Sequence, residues 1–142
     1  MVIGILGGGA SGMAAALAAA ENPENQVILM ERQSRVGKKL SATGNGRCNL
    51  TNLHVSPAHY HGQQPEFAQY ALSVFDAQAA LEWFSGLGLL TVAEDSGKVY
   101  PYSDQANSVV DVLRFALEQE NITVKLGFDA EKVRKTPTGF RV

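Results

Sequence analysis

The chain opens on a short apolar run, Val2-Ile3-Gly4-Ile5-Leu6, which breaks at once into Gly7-Gly8-Gly9-Ala10-Ser11-Gly12 and an alanine-rich stretch. Strand, tight turn and helix in that order place G-x-G-x-x-G in the context of a dinucleotide-binding fingerprint. Gly7 permits the sharp turn, Gly9 lets the backbone approach a pyrophosphate, and Gly12 lets the helix pack closely on the strand. The helix beginning near Ala10 turns its free N–H groups and positive dipole end toward the phosphates. A second apolar run, Val27-Ile28-Leu29-Met30, ends in Glu31, nineteen residues past Gly12, where an acidic side chain binds ribose hydroxyls. The bland alternative, a glycine-rich turn arising by chance, leaves that second run and its acidic end unexplained.

The same opening has the apolar content of a secretory signal, but its flanks are wrong. No Lys or Arg precedes it, and four of the first nine residues are glycine. No segment reaches the eighteen or so uninterrupted apolar residues of a membrane span. The expected location is the cytoplasm. With 142 residues the chain has the length of one domain, 1–142, with no internal repeat, low-complexity tract or linker. Twelve basic and fourteen acidic residues leave a net charge of −2, so no footprint for nucleic acid or a membrane surface is expected. One cysteine, Cys48, excludes an intrachain disulfide and suits a reducing compartment.

Residues 14–21 favour helix and are stopped by Asn22-Pro23. More than thirty residues after Glu31 then show no period, and loops of that length in a compact domain are usually functional or disordered. Lys38-Lys39-Leu40 reads as a short helical turn within them. Pro65 suits a first helical position ahead of an apolar stripe, Phe67, Tyr70, Ala71, Val74 and Phe75. Asp76 reads as the N-cap of a helix carrying Ala80, Leu81, Trp83 and Phe84, which Gly86 and Gly88 end. The helical spacing of Tyr70, Phe75, Trp83 and Phe84 predicts core packing rather than a ligand-stacking platform.

Residues 89–93 and 98–100 flank Glu94-Asp95-Ser96-Gly97 as a hairpin, and Ser103 or Asp104 caps a helix burying Ala106, Val109, Val110, Leu113 and Leu117. Ile122-Thr123-Val124-Lys125-Leu126 alternates as a strand, and a last hairpin turns at Thr136-Pro137-Thr138-Gly139. The right-handed crossover rule places the first strand beside the second and the 122–126 strand outside the second. The far edge of the first strand is then open, apolar and suited to strand addition or self-association.

The aperiodic region contains Gly37-Lys38-Lys39-Leu40-Ser41-Ala42-Thr43-Gly44-Asn45-Gly46-Arg47-Cys48-Asn49-Leu50-Thr51-Asn52. Composition alone reads this as an Asx-rich surface turn or as a loop with backbone freedom and many donors and acceptors for a flat ligand. The sixteen-residue run resembles the signature of a bacterial family of NAD(P)/FAD-dependent, aminoacetone-oxidase-like flavoproteins, which includes relatives of bile-acid reductases. Gly97-Lys98-Val99-Tyr100-Pro101-Tyr102-Ser103 resembles that family's next element, and the resemblance runs over the whole chain.

The resemblance implies an α/β, Rossmann-like FAD-binding domain of the glutathione-reductase type, with a parallel sheet and an added β-hairpin. It also implies a domain incomplete at its C-terminal end, the N-terminal portion of a longer oxidoreductase whose substrate domain and final FAD-binding segment lie elsewhere. Position by position it assigns Gly7, Gly9, Ala10, Ser11 and Gly12 to the FAD pyrophosphate and Glu31, with Arg32 beside it, to the adenosine ribose. Lys38, Lys39, Thr43, Gly44, Asn45, Gly46, Arg47, Cys48 and Asn49 lie along the cofactor, the later ones toward the flavin ring. Ala130 takes the backbone position that meets adenine.

The residues themselves leave alternatives open. Cys48 reads as a small packed residue more readily than as a redox thiol, since no resolving cysteine exists. His54, His59 and His61 form no standard zinc pattern and read as a solvated loop, so no metal is expected. Arg47 suits a phosphate or a reduced flavin, or braces its own loop. No residue stands out as acid, base or nucleophile. The expected activity is hydride transfer between FAD and a nicotinamide, NAD(P)H, or a small-molecule substrate. An NAD-binding dehydrogenase domain and a non-catalytic FAD-binding module are the rivals.

Overall fold

The computed structural model describes all 142 residues, and its contacts gather into two compact units. Met1–Leu40 with Leu113–Val142 forms the first and Ser41–Val112 the second. No linker or shift of composition marks that division in the sequence.

The first unit is a parallel sheet with a helix on it. Strands β1 (Val2–Leu6), β2 (Gln26–Glu31) and β6 (Ile122–Leu126) run in the order β1-β2-β6, as the crossover rule predicts. The register sets Gly4 opposite Ile28 and Leu29 opposite Val124. Helix α1 (Ala10–Ala20) buries Met13, Ala16, Leu17 and Ala20, and β2 buries Val27, Leu29 and Met30. Alanine serves this helix twice, by intrinsic propensity and by letting it lie close to the sheet. Asn25 and Asn121 finish it, donating from their side-chain amides to the carbonyls of Ala19 and Ala20. Strand β1 is the odd member. Its sequence is the apolar one of a strand covered on both faces, yet it stands at the sheet edge with Val2 70% and Leu6 46% exposed. The C-terminal hairpin pairs β7 (Arg134–Thr136) with β8 (Gly139–Arg141) across Pro137-Thr138, as expected.

The second unit holds a three-stranded antiparallel sheet in the order β3-β5-β4, from β3 (Thr51–Asn52), β4 (Thr91–Ala93) and β5 (Lys98–Pro101). The expected hairpin is β4–β5. Strand β3 comes from inside the aperiodic stretch, and with two residues it carries no period to read. Asp76 caps α3 (Ala77–Gly86), accepting from the Ala79 N–H at 2.8 Å. Gly88, at φ 89°, takes the chain out of it. Helix α4 (Ala106–Ala116) begins in this unit, and its apolar stripe is buried as its spacing requires. The Ser103 hydroxyl accepts from the Gln105 N–H ahead of the helix; Asp104 is engaged elsewhere.

Two expectations need correction. Helix α2 (Phe67–Val74) forms two residues past Pro65, and its stripe is not core: Phe67 is 85%, Tyr70 78%, Val74 64% and Phe75 51% exposed. Helical spacing reports that a face exists, not that something covers it. Of the four aromatics, only Trp83 and Phe84 pack together, edge to face with centroids 5.0 Å apart.

Candidate functional site

The glycine loop of the first unit is shaped by backbone. Gly7 has φ 97°, a conformation closed to other residues at little cost, and its N–H reaches the Met30 carbonyl at 2.7 Å. A Cβ on Gly12 would run into the Gly7 carbonyl, so the third glycine is fixed by helix–turn packing. A Cβ on Gly9 would meet nothing within 4 Å. Gly9 is the N-cap of α1, with no side-chain cap and no acidic residue in the first turn. An uncapped, unobstructed helix start with a favourable dipole is a cradle for a phosphate, and the space at Gly9 is the space a pyrophosphate needs.

Gly8 carries a constraint that the motif does not announce. It is buried, and a Cβ there would come 2.5 Å from Val36 Cγ1. Its N–H donates to Glu31 Oε2 at 2.7 Å, while Glu31 Oε1 accepts from the Gln33 N–H at 2.8 Å. The Gly37 N–H donates to the Gly8 carbonyl at 2.7 Å. Glu31 therefore fastens the glycine loop to the end of β2 with both oxygens, each of which has a lone pair left to accept another bond. These bonds, that from Gln33 first, hold its carboxyl below the ordinary carboxylate range against the opposing effect of burial, with Arg32 adding a smaller pull. The Phe128 N–H donates to the Glu31 carbonyl, which brings the segment leading to exposed Ala130 alongside the same strand end. Lys38 is exposed and donates to Gln33 Oε1, and Arg32 and Lys39 are exposed.

The second unit holds residues 43–49 in a different way. Leu40–Gly46 runs as 3-10 turns broken where Thr43 is extended and Gly44 and Asn45 are left-handed. The Cys48 N–H returns to the Thr43 carbonyl and the Arg47 N–H to the Gly44 carbonyl. Gly44 has no room for a side chain, since a Cβ would sit 2.7 Å from the Asn49 nitrogen. Asn49 donates to the Val99 carbonyl at 3.2 Å, so β5 carries this loop. Gly97 closes the hairpin at φ 78°, against His54 and Asn52. Arg47 donates from Nη2 to Glu94 at 2.8 Å and from Nε to Asp104, and its guanidinium lies 3.8 Å from the Tyr100 ring centroid. Cys48 is 2% exposed, and burial raises its pKa despite a hydrogen bond with Thr43, so it packs as a thiol. His59 pairs with Ser56. Sequence reasoning missed the hairpin's part in this loop, and Asp104 and Glu94 carried no motif of their own.

The HI0933-like protein Rossmann domain model matches residues 1–142. The chain is 45% identical over 139 residues to the 3-dehydro-bile acid delta(4,6)-reductase of Clostridium scindens, covering 97% of this chain and 34% of that protein. It is 33% identical over 136 residues to the ribosomal RNA dihydrouridine synthase of Escherichia coli, covering 96% and 34%. The chain thus spans about a third of the length of these curated relatives. Among solved structures, Thermovibrio ammonificans THI4 superposes with a TM-score of 0.60 at 17% identity, over 98% of this chain and 44% of that one. The open conformation of a flavocytochrome c3 fumarate reductase gives 0.57 at 20% identity, over 89% and 26%. The parallel β1-β2-β6 sheet, the open glycine cradle and this match across every residue lead to one conclusion: the chain belongs to the HI0933-like protein Rossmann-domain family.

Proposed function

We propose that this chain binds FAD and serves as the cofactor-holding region of an oxidoreductase that adds two hydrogens to a carbon–carbon double bond of a small molecule. The observation that carries the cofactor is the uncapped start of α1, where a Cβ on Gly9 would meet nothing and Glu31 stands beside the loop. Gly7, Gly9, Ala10, Ser11 and Gly12 would hold the pyrophosphate, Glu31 and Arg32 the ribose, and Ala130 the adenine. Lys38, Lys39 and the backbone of residues 43–49 would follow the remaining length of the cofactor. Bound FAD supplies hydride chemistry, and the chain binds, orients and tunes it. NAD(P)H is the proposed electron donor.

The reaction class draws on a feature shared by two relatives' names, since a delta(4,6)-reductase and a dihydrouridine synthase both saturate a double bond. A small molecule is favoured over RNA by the higher identity to the bile-acid enzyme and by the net charge of −2. No helix is long and apolar enough to cross a membrane, and the single buried cysteine suits a cytoplasmic setting. The edge of β1 that no strand within residues 1–142 pairs is the proposed site of strand addition or self-association. A stable monomer in analytical ultracentrifugation would sink that last point.

Titration with FAD, followed by visible absorbance, tests the cofactor. Saturable binding that Gly9→Val abolishes in a folded protein supports it. Binding of NAD in preference to FAD would favour the dehydrogenase reading. Anaerobic bleaching of the flavin by NADPH or NADH, then reoxidation by an unsaturated ketone, would establish donor and reaction class. Reoxidation by a uridine-containing RNA alone would replace the small molecule with RNA.

A further inference from the structure

We infer that Arg47 is a positioning residue that locks the 43–49 loop in a strained shape for the cofactor, without touching the cofactor itself. This rests on the FAD reading above. The chain has three non-glycine residues at positive φ: Asn45 at 56°, Cys48 at 60° and Asp104 at 57°. Two of them bracket Arg47 and the third is its partner. Left-handed backbone is uncommon outside glycine; Asn and Asp reach it readily, whereas at Cys48 it costs more and needs its surroundings to hold it. Here the surroundings converge on one guanidinium.

Its Nε and Nη2 are committed to two different carboxylates, and one face lies over Tyr100. That occupies one of the two edges with which an arginine grips a phosphate bidentately. With Asp104 and Glu94 both in contact, the cluster is net negative and repels an anion. A cofactor phosphate gains little there. The clamp instead joins both signature elements, the loop through Arg47 and the hairpin with its following turn through Glu94, Tyr100 and Asp104. Asn49 and Leu50 add bonds to the Val99 carbonyl of the same hairpin.

The test compares Arg47→Ala, Arg47→Lys and the paired Glu94→Gln/Asp104→Asn variant. Amide hydrogen exchange of residues 43–49 is read without ligand, and FAD affinity and flavin midpoint potential are read in the loaded protein. The clamp predicts faster exchange in all three and FAD binding weakened by about tenfold or more, and adding Arg47→Ala to the paired carboxylate variant should weaken binding no further than either change alone. Lysine cannot bridge both carboxylates and stack, so Arg47→Lys should resemble Arg47→Ala. The midpoint potential should move alike in the arginine and carboxylate variants. Direct contact predicts the opposite pattern. Arg47→Lys would rescue binding, Arg47→Ala alone would lower the potential, and the carboxylate variant would bind FAD as well or better; any of these overturns the inference. Unchanged exchange, or faster exchange with unchanged affinity, overturns it too. The binding measurements use the full-length protein that carries this chain; its failure to bind FAD when unsubstituted would refute the cofactor assignment, and exchange would still decide whether the clamp exists.

Discussion

The two candidate ligand loops reach their shapes by opposite means. The glycine loop at 7–12 is ordered by what it lacks: side chains are absent where the helix packs, where Val36 presses and where the proposed phosphate would lie. One carboxylate, Glu31, ties it down. The loop at 43–49 is ordered by what it has, a guanidinium, two distant carboxylates, an aromatic ring and an amide bonded to a neighbouring strand. Pyrophosphate makes the same demand of any protein that binds it at a helix start, and backbone meets that demand. The second loop answers to its own hairpin, through contacts particular to these side chains.

The contrast breaks most readily at Gly12. Gly12→Ala drives a methyl into the Gly7 carbonyl and should cost about 3 kcal/mol or more in urea unfolding, at the upper end for overpacking. A loss below 1 kcal/mol would show that the turn yields and that the loop is less backbone-determined than argued. Glu31→Ala should weaken FAD binding by about 1.5–3 kcal/mol, the range for charge-assisted hydrogen bonds, as measured by calorimetry. Undiminished affinity in a folded protein would leave Glu31 a brace alone.

Gly97→Ala, at φ 78° against His54 and Asn52, should cost about 1–2 kcal/mol, less than Gly12→Ala because side chains can give way where a carbonyl cannot. A larger loss than at Gly12 would reverse the ranking of the loops. The Glu31 brace should also respond to pH. The folded pKa of Glu31 lies below its unfolded value, so its contribution is complete above the unfolded pKa and is lost as pH falls through the folded one. Acid unfolding of Glu31→Gln should show a shallower loss of stability below about pH 4; an identical slope would remove Glu31 from the account. Smallest of all, Phe67→Ser should change stability by no more than about 0.5 kcal/mol, because that ring is 85% exposed. A large loss would mean the α2 stripe is covered after all.

Much of the first unit was legible because its signals are local. Val2–Leu6, the glycine spacing and the acidic end of β2 lie within thirty-one residues, and the crossover rule then orders the strands. The 43–49 loop was legible only as a signature. Arg47 admitted a phosphate, a flavin or a brace, and nothing adjacent in sequence chose among them. Its partners stand 47 and 57 residues away.

Periodicity, caps and glycines by themselves determined the parallel sheet, α1, the capped α3, the buried stripe of α4 and both hairpins. These depend on backbone geometry and burial that repeat every two or 3.6 residues. Tertiary structure alone decided that the α2 stripe faces outward, that two residues at Thr51–Asn52 become a third strand, and that Glu31 holds Gly8. It alone set three residues left-handed around one arginine. Each of those depends on which distant group arrives alongside, and a chain read one residue at a time carries no record of that arrival.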